Sequence, residues 1–526
     1  MHPVEKREIW ALGGILLLLL PFYFWLATAG VGVYASPDET ANAITIRQLD
    51  WYGRITVAEP LAKDFPWVHP RSYISQGDAI APVGFLGWPW IISVFSLILG
   101  QGMVPILATL AAVSMAIPLF GLLRRFGRAP AFAGVIIGMT FPTLILFGNR
   151  ALFPQIGLLV LGVWTMFGLS RLSSKDAPWK FGALAFLGTL AMSARPTEII
   201  WLLPWFAWFA KDLRPDRKRI IAACVGALIP LMFIGFHAQI SYGGFWKSGY
   251  MARDNGSVEM IALPAGPNDP TRSIVFPFGI HPKYLVWNVW SFLFKLLFPW
   301  TVLVIAAAVS IGWEMKQSKE RNWKKFIERH AVTLLSLWTV GFLIAYYGQG
   351  LYTDHVQRGA VTIANSFVRY LLPLAPLAAL ATAYLFQKYQ DRPRGALVLI
   401  GLVMVLSGYG TWVALARDNE GLIATRGELV RYLDIRRQAA EHFGPTDLIL
   451  SERSDKIFFP GHRTALIPAN LEVARLVKAH PEVRVGLFAR PLSQSQADAW
   501  RKAGFEPNEL LVSGREKLYL LSPIRR

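Results

Sequence analysis

Long apolar runs separated by short polar gaps fill the chain from residue 9 to residue 414. Most of these runs are near the length that an α-helix needs to cross a hydrocarbon core of about 30 Å. The runs cover residues 9–29, 104–123, 131–147, 154–170, 181–194, 199–210, 220–240, 286–313, 332–348, 367–386 and 396–414. The pattern predicts a polytopic α-helical membrane protein with about eleven transmembrane helices.

Lysine and arginine concentrate in alternate gaps between these runs, at residues 124–128, 211–219, 316–329 and 388–394. Basic gaps of this kind face the cytoplasm. We therefore expect a chain in the inner (plasma) membrane of a bacterium, with its amino terminus in the cytoplasm. Under this topology the outer loops are residues 31–81, 241–284 and 349–366.

One more apolar run, residues 83–99, conflicts with this topology if it is counted as a crossing. It would put every later basic gap outside, against the positive-inside rule. We therefore predict an interfacial or re-entrant segment, which Pro89 and the flanking Trp88 and Trp90 suit.

After residue 414 the pattern changes to short strand-like and helix-like stretches. Strands are predicted at 447–450, 483–488 and 517–521, and helices at 427–442 and 494–503. We expect two domains: a transmembrane domain of residues 1–414 and a small extracytoplasmic α/β domain of residues 415–526. The second carries no Gly-rich phosphate loop and no nucleophile elbow, so a structural or recognition role is expected.

Composition narrows the class of protein further. Of the 526 residues, 54% are hydrophobic and 17% charged, which excludes a disordered chain. The net charge of +19 lies in the gaps between apolar runs and does not form one patch, so nucleic acid is not an expected partner. Cys224 is the single cysteine, which excludes an intrachain disulfide and a multi-cysteine metal site.

The first candidate chemistry lies at Asp38 and Glu39, two adjacent carboxylates just after the first predicted helix. Ser36 as N-cap, Pro37 at the first helical position and Glu39 three residues on also match a capping box that opens a helix over 38–49. The two interpretations are compatible, because a cap fixes the carboxylates rigidly, as a general base requires.

Several cations are placed where they can meet a lipid phosphate. His69 and Arg71 lie in the same outer loop, although a solvated loop explains them equally well. Arg369 enters the outer end of a predicted span, where a charge is costly. It either binds a phosphate or extends its side chain (snorkels) to the headgroups. Arg195 lies at an outer turn and has the same two interpretations, with Glu198 as a neutralising partner.

Four short motifs give the chain a resemblance to a known family. They are Pro37-Asp38-Glu39, the segment 194–197 (ARPT), the segment 242–250 (YGGFWKSGY) and the segment 369–373 (RYLLP). In order and outer placement they resemble integral-membrane glycosyltransferases of the GT-C class, a group that includes glycosyltransferase family 39, the protein O-mannosyltransferases and the lipid A aminoarabinose transferases.

The resemblance implies inverting transfer of a sugar from a polyprenyl-phosphate donor to an extracytoplasmic glycan, lipid or protein. Asp38 would be the general base, and Glu39 would orient the acceptor or help to hold a cation. A guanidinium stabilises the leaving phosphate, for which Arg369 is the first candidate and Arg195 the second, with His69 and Arg71 as further donor contacts.

The remaining expectations concern the large outer loop and metal. Lys247, Tyr250 and Arg253, with Tyr370, are candidates for closing over donor or acceptor. Many relatives carry a second acidic residue in the next outer loop, where this chain has Gln155. The metal site is therefore unknown, no cofactor is certain, and a divalent cation is an alternative.

A polytopic transporter or flippase is the main competing hypothesis. Carriers tend to have paired halves with ionisable groups at the bilayer midplane. Here the notable charges lie at the outer ends of spans and no internal repeat is visible. A membrane scaffold explains the last 110 or so residues but gives Asp38, Glu39 and Arg369 no role.

Overall fold

The computed structural model describes residues 5–26, 32–252, 276–317, 323–352 and 359–524. Contacts divide the chain into two compact units, each assembled from three stretches of sequence. The helical unit consists of Met1–Ala27, Pro105–Met232 and Ile261–Thr425. The mixed unit consists of Thr28–Val104, Phe233–Met260 and Arg426–Arg526. The domain boundary expected at residue 414 stays a prediction.

Helices make up most of the described chain. They are α1 (Lys6–Tyr23), α2 (Pro37–Tyr52), α3 (Gly87–Leu99), α4 (Val104–Ser114), α5 (Ala116–Leu123), α6 (Arg128–Met139), α7 (Pro142–Asn149), α8 (Pro154–Arg171), α9 (Pro178–Ala194), α10 (Ile199–Ala210), α11 (Arg217–Tyr242), α12 (Gly249–Ala252), α13 (Pro282–Asn288), α14 (Phe298–Gln317), α15 (Trp323–Tyr347), α16 (Ser366–Tyr370), α17 (Leu374–Tyr389), α18 (Pro393–Ala416), α19 (Leu422–His442), α20 (Asp455–Phe458), α21 (Asn470–Ala479) and α22 (Gln494–Lys502).

Within the described residues, five helical segments are long and apolar enough to cross a membrane, which makes the chain an integral membrane protein. They are Gln101–Phe126, Arg217–Tyr242, Phe298–Gln317, His330–Tyr347 and Arg394–Ala416. A sixth arises if α6 and α7, bent by 57° at their junction, form one broken span. The predicted count of eleven crossings is not confirmed, since α9 has 17 residues and α10 only 12.

Three of the runs predicted as continuous helices are interrupted beside a proline. The run 131–147 breaks before Pro142, and the run 367–386 breaks at Leu371, Leu372 and Pro373. The run 286–313 changes to a π-helix at Val289–Leu296 and restarts as α14 just before Pro299. Proline lacks the backbone N–H and clashes with the preceding turn, so hydropathy alone overestimates the continuity of these helices.

Close helix packing in the helical unit depends on two glycines one turn apart. A Cβ on Gly134 of α6 would lie 2.6 Å from the backbone oxygen of Ala379 in α17. A Cβ on Gly138 would lie 3.0 Å from the Ala379 Cβ. The spacing is that of a GxxxG motif, in which small residues let two membrane helices approach closely.

The mixed unit contains two sheets. Its strands are β1 (Val57–Ala58), β2 (Tyr73–Gln76), β3 (Ala79–Pro82), β4 (Leu448–Ser451), β5 (Arg463–Leu466), β6 (Val485–Ala489), β7 (Phe505–Ser513) and β8 (Glu516–Pro523). The first three form an antiparallel sheet in the order β1-β3-β2, and the others form a sheet in the order β5-β4-β6-β8-β7. The central β5-β4-β6 strands are parallel, and β8 and β7 continue the sheet antiparallel.

The five-stranded sheet shares its core with the segment that follows α2. Leu61, Phe65 and Val68 pack with Leu448 and Leu487 in one buried cluster. Strands β4, β6 and β8 overlap the predicted strands, and α19 and α22 overlap the predicted helices. The sequence analysis did not predict β5, α21 or β7. The shared core explains why the segment around residues 57–82, predicted only as an outer loop, is folded.

Candidate active site

The first predicted acidic pair lies at the amino-terminal turn of α2. The Ser36 hydroxyl accepts a hydrogen bond from the Glu39 backbone N–H at 3.2 Å, and Pro37 occupies the first helical position. Asp38 is half-buried and Glu39 is buried. The predicted N-cap is confirmed, while the helix extends to Tyr52, beyond the predicted end at residue 49. The cap fixes the backbone from which both carboxylates project.

Ser72 orients the Asp38 carboxylate. The Ser72 hydroxyl donates a hydrogen bond to Asp38 Oδ1 at 2.7 Å. Ser72 has a φ of 64°, in the left-handed region, which costs a non-glycine residue about 1 kcal/mol or more. The Val83 N–H donates to the Ser72 carbonyl at 2.8 Å. A strained backbone that is held on its other side places this hydroxyl against the carboxylate.

Arg71 is bound by a buried carboxylate of the same unit. Its backbone N–H and its Nε each donate to Asp455 at 2.7 Å, to Oδ2 and Oδ1 respectively. Its Nη2 lies 2.6 Å from Asp455 Oδ1 and also donates to the Arg453 carbonyl. The predicted role of Arg71 at the donor phosphate stays untested, and any such phosphate would have to compete with Asp455.

Glu39 lies in a field of mixed charge. The pKa of Tyr34 is raised to about 12, mainly by burial and also by the negative charge of Glu39, against the opposing effect of Arg47 and Arg436. The Tyr34 phenol is therefore neutral at physiological pH. Arg436 donates to the Gly32 carbonyl at 2.8 Å, which ties α19 to the segment that leads into α2.

The sequence analysis also named four further residues of the mixed unit, in addition to Asp38, Glu39 and Arg71. They are His69, Lys247, Tyr250 and Arg253. A ring nitrogen of His69, Nδ1, lies 3.0 Å from the Pro70 carbonyl. Lys247 and Tyr250 are exposed, and the Tyr250 ring lies 5.3 Å from the Phe85 ring. Arg253 lies outside the described residues. These positions allow the predicted loop role without testing it.

In the helical unit, Arg195 forms a buried polar cluster with Glu198 and Tyr347. The Arg195 Nε donates to Glu198 Oε1 at 3.2 Å, and its Nη2 donates to the Tyr347 hydroxyl at 2.9 Å. The same hydroxyl donates to Glu198, as does the Trp201 indole N–H. Glu198 is only 2% exposed. The neutralising role predicted for Glu198 agrees with this geometry.

Aromatic rings connect Arg195 to two more arginines. The Arg195 guanidinium lies 4.8 Å from the centre of the Tyr370 ring, which stacks on Tyr347 at 4.1 Å. Arg369 lies 5.6 Å from the same Tyr370 ring and 4.4 Å from the Phe153 ring. The other cation at Phe153 is Arg150, at 5.0 Å. We call Arg150, Arg195 and Arg369 with these rings the arginine cluster.

The arginine cluster brings three guanidiniums close to the same few aromatic rings. Arg195 is also paired with the Glu198 carboxylate. Cation–π contacts hold guanidiniums in place over aromatic rings. A guanidinium matches phosphate oxygens in geometry as well as charge.

An apolar cavity of about 70 Å³ lies close to Glu198, the partner of Arg195. It is lined by leucines and aromatic rings, among them Trp201, whose indole donates to Glu198, and by Pro373, three residues after Tyr370. Arg125 also lines it. The cavity therefore offers hydrocarbon-like surface next to the arginine cluster.

The described residues offer no obvious metal site. Nowhere in that part of the chain do three or more His, Cys, Asp or Glu side chains converge in a way that suits a metal ion. Gln155, at the position where relatives carry a second acid, is buried. The structure thus adds no ligand set to the alternative of a divalent cation.

No family model matches the chain, and no curated protein matches its sequence. Solved structures do match its fold, among them two of ArnT from Cupriavidus metallidurans. The apo structure aligns with a TM-score of 0.55 and the structure bound to undecaprenyl phosphate with 0.52. Both alignments have 12% sequence identity and cover 98% of each chain. The chain therefore has a fold like that of these ArnT structures.

The sequence analysis missed several residues that build the surroundings of Asp38 and Glu39 or the arginine cluster. Ser72 and Asp455 were missed because nothing local marks them. Arg150 lies between Phe147 and Phe153 in a mostly apolar stretch. A charge is costly there, so the argument used for Arg369 could have identified Arg150 as well. Tyr347 ends a predicted span and had no distinguishing signal in the sequence.

Proposed function

We propose that this protein is an inverting glycosyltransferase that moves a hexose or pentose from a polyprenyl-phosphate carrier to a glycan, lipid or protein outside the cytoplasm. Asp38 acts as the general base. Arg369 and Arg195 bind the donor phosphate, with Arg150 as a third cation. The proposal joins a GT-C fold, an acidic pair and a cationic cluster in one reaction.

The grouping of three guanidiniums around the Phe153 and Tyr370 rings is the observation that carries this proposal. A polyprenyl phosphate supplies the anion that such a cluster attracts and a hydrocarbon chain that suits the adjacent apolar cavity. The binding of undecaprenyl phosphate by ArnT, which shares the fold, supports the same class of donor.

The reaction needs one base and one stabilised leaving group. Asp38 takes the proton from the acceptor hydroxyl or amine as that atom forms a bond to the anomeric carbon of the sugar. The bond between the anomeric carbon and the phosphate oxygen breaks, and its electron pair leaves with polyprenyl phosphate. Guanidiniums stabilise the negative charge that develops on this phosphate. Attack opposite the leaving group inverts the anomeric configuration.

Purified full-length protein in lipid nanodiscs, supplied with a panel of radiolabelled polyprenyl-phosphate sugars and an extract of cell-envelope acceptors, tests the proposal. We expect release of polyprenyl phosphate together with a labelled acceptor. Asp38→Asn should lower the rate about 10²- to 10⁴-fold, since it removes the base but keeps the shape. Asp64→Asn, an exposed acid in the same segment, is the matched control and should keep full activity.

A transporter or flippase gives the opposite results. It would reorient a labelled carrier lipid between the leaflets of vesicles without releasing polyprenyl phosphate. The Asp38→Asn variant would then reorient the carrier lipid at the wild-type rate. Full transfer activity in Asp38→Asn would overturn the assignment of the base while leaving the class of reaction in place.

A further inference from the structure

We infer that Asp455 is a positioning residue for Asp38, and that it acts through Arg71 and Ser72. The inference rests on the proposed function, because it gives the carboxyl-terminal part of the mixed unit a role in setting the geometry of the base. Asp455 lies 417 positions after Asp38 in the sequence, and nothing in the motifs connects them.

The first link is the grip of Asp455 on Arg71. Asp455 is 0% exposed, and its carboxylate accepts from both the backbone N–H and the side chain of Arg71. A carboxylate that binds backbone and guanidinium of one residue fixes where that residue lies and how it is rotated. Arg71 also donates to the Arg453 carbonyl, so the turn before α20 holds the guanidinium from a second side.

The second link is the backbone of Ser72. Ser72 follows Arg71 directly and has its φ at 64°. On one side Asp455 holds the N–H of Arg71, and on the other the Val83 N–H holds the Ser72 carbonyl. These two hydrogen bonds hold Ser72 in a left-handed backbone conformation that is unfavourable for a serine in an unconstrained loop. In this conformation Ser72 Oγ donates a hydrogen bond of 2.7 Å to Asp38 Oδ1.

The third link ties the same short helix to the start of α2. Lys456, next to Asp455 in α20, donates to the Ala35 carbonyl at 2.6 Å, just before the N-cap Ser36. The Tyr73 ring packs at 5.1 Å against Phe459, and both belong to a buried cluster with Ala41 of α2. Helix α20 therefore supports Asp38 in two ways: it contacts the start of α2, which carries Asp38, and it holds the segment that contains Ser72, the hydrogen-bond partner of Asp38.

The chain contains a matched control for Asp455. Asp447, at the other end of β4, is also buried at 4% exposed. It accepts from the backbone N–H of Arg484 at 3.2 Å and from the Arg484 Nη2 at 2.6 Å. As at Asp455, one carboxylate binds the backbone and the guanidinium of a single arginine, although Asp447 also accepts from the Gly444 N–H at 2.7 Å and Arg484 is more exposed than Arg71. Arg484 is not followed by a residue that contacts the acidic pair.

The experiment compares Asp455→Asn with Asp447→Asn in the full-length protein, measuring kcat, KM and the unfolding midpoint. We expect Asp455→Asn to lower kcat about 10- to 100-fold with KM within about twofold, because the base is misoriented while the donor site is intact. Asp447→Asn should lower the midpoint by a similar amount and keep kcat. Equal kcat in the two variants overturns the inference.

A double-mutant cycle identifies the route. Ser72→Ala should reproduce the loss of kcat, and adding Asp455→Asn to it should cost little more, since both changes cut one pathway. Losses that multiply would show that Asp455 acts independently of Ser72 and would overturn the route through Arg71.

Hydrogen exchange of the segment 69–76 gives a readout that needs no activity. Asp455→Asn should speed exchange there at least about tenfold more than Asp447→Asn does. If wild-type protein transfers no sugar, the proposed function fails, yet the exchange result still decides whether Asp455 orders Ser72. Unchanged exchange in Asp455→Asn overturns the inference even if the enzyme is active.

Discussion

Two carboxylates, Glu198 in the helical unit and Asp38 in the mixed unit, are held in different ways. Glu198 is almost completely buried and binds a guanidinium, a phenol and an indole. Asp38 is half-buried and accepts from a serine hydroxyl at the first turn of a helix. The first carboxylate is enclosed by one cation and two neutral donors, whereas the second keeps contact with solvent.

The difference indicates what each carboxylate is for. A buried carboxylate paired to a guanidinium is costly to separate from its partner, so Glu198 serves to fix Arg195. A half-exposed carboxylate oriented by a neutral hydroxyl keeps its ability to take a proton from an acceptor. We therefore expect changes around Glu198 to appear first in stability, and changes around Asp38 to appear first in turnover.

The largest expected stability effect comes from Arg195→Gln. The change leaves Glu198 buried without its cation, which costs about 3 to 5 kcal/mol of unfolding free energy. The measurement is chemical or thermal unfolding in detergent, followed by the tryptophan signal. Lys180→Gln, which breaks the exposed pair with Asp176, should leave the midpoint unchanged. A stable Arg195→Gln protein that has lost only donor binding would remove the contrast between the two carboxylates.

A smaller loss is expected from Tyr347→Phe. The hydroxyl accepts from Arg195 and donates to Glu198, and its removal leaves one hydrogen bond fewer to each buried charge. The direct contact between Arg195 and Glu198 survives, so the loss should be about 1 to 3 kcal/mol. The ring still stacks on Tyr370 and keeps its cation–π contact with Arg195. The same unfolding assay should therefore place this variant between wild type and Arg195→Gln. A loss as large as that of Arg195→Gln would contradict the expectation that the direct pair of Arg195 and Glu198 survives.

The parts of the site that could be predicted from the sequence are those that depend on neighbouring residues. The Ser36 cap and the adjacent Asp38 are local, and Arg369 stands out because a charge in an apolar run is costly. The contact between Arg71 and Asp455 joins residues 384 positions apart, and no local propensity encodes it. The proline breaks at Pro142 and Pro373 were visible in the sequence but were outweighed by hydropathy.

The same limit applies to the fold. Apolar runs predict that helices exist and roughly where, because their cause is local hydrophobicity. They do not predict that residues 57–82 form a sheet and share a core with the last hundred or so residues, since a polar loop and a buried connection have similar composition. The aromatic links of the arginine cluster also come from different helices, so they follow from packing and not from spacing.

A third carboxylate, Asp50 near the end of α2, gives the smallest and most selective test of the comparison. It accepts hydrogen bonds from the Ser96 hydroxyl and the Gln101 amide. Burial raises the pKa of Asp50 above its usual value, and these hydrogen bonds oppose the rise without cancelling it. Asp50 thus accepts from neutral donors, as Asp38 does from Ser72, but it lies at the opposite end of the same helix.

The sign of its pH effect follows from the raised pKa. The folded protein binds this proton more tightly than the unfolded chain, so the contribution of Asp50 to stability is fully present below the unfolded value of about 3.9 and is lost as pH rises through the folded value. Asp50→Asn, which keeps an acceptor for Ser96 and Gln101, should raise the unfolding midpoint slightly at pH 7. The gain should shrink as pH falls toward 4, while Asp64→Asn shows no such trend. If Asp50→Asn instead lowers the midpoint at pH 7, and this loss disappears as pH falls toward 4, the carboxylate is held by a cation, as Glu198 is, and the contrast does not extend along α2.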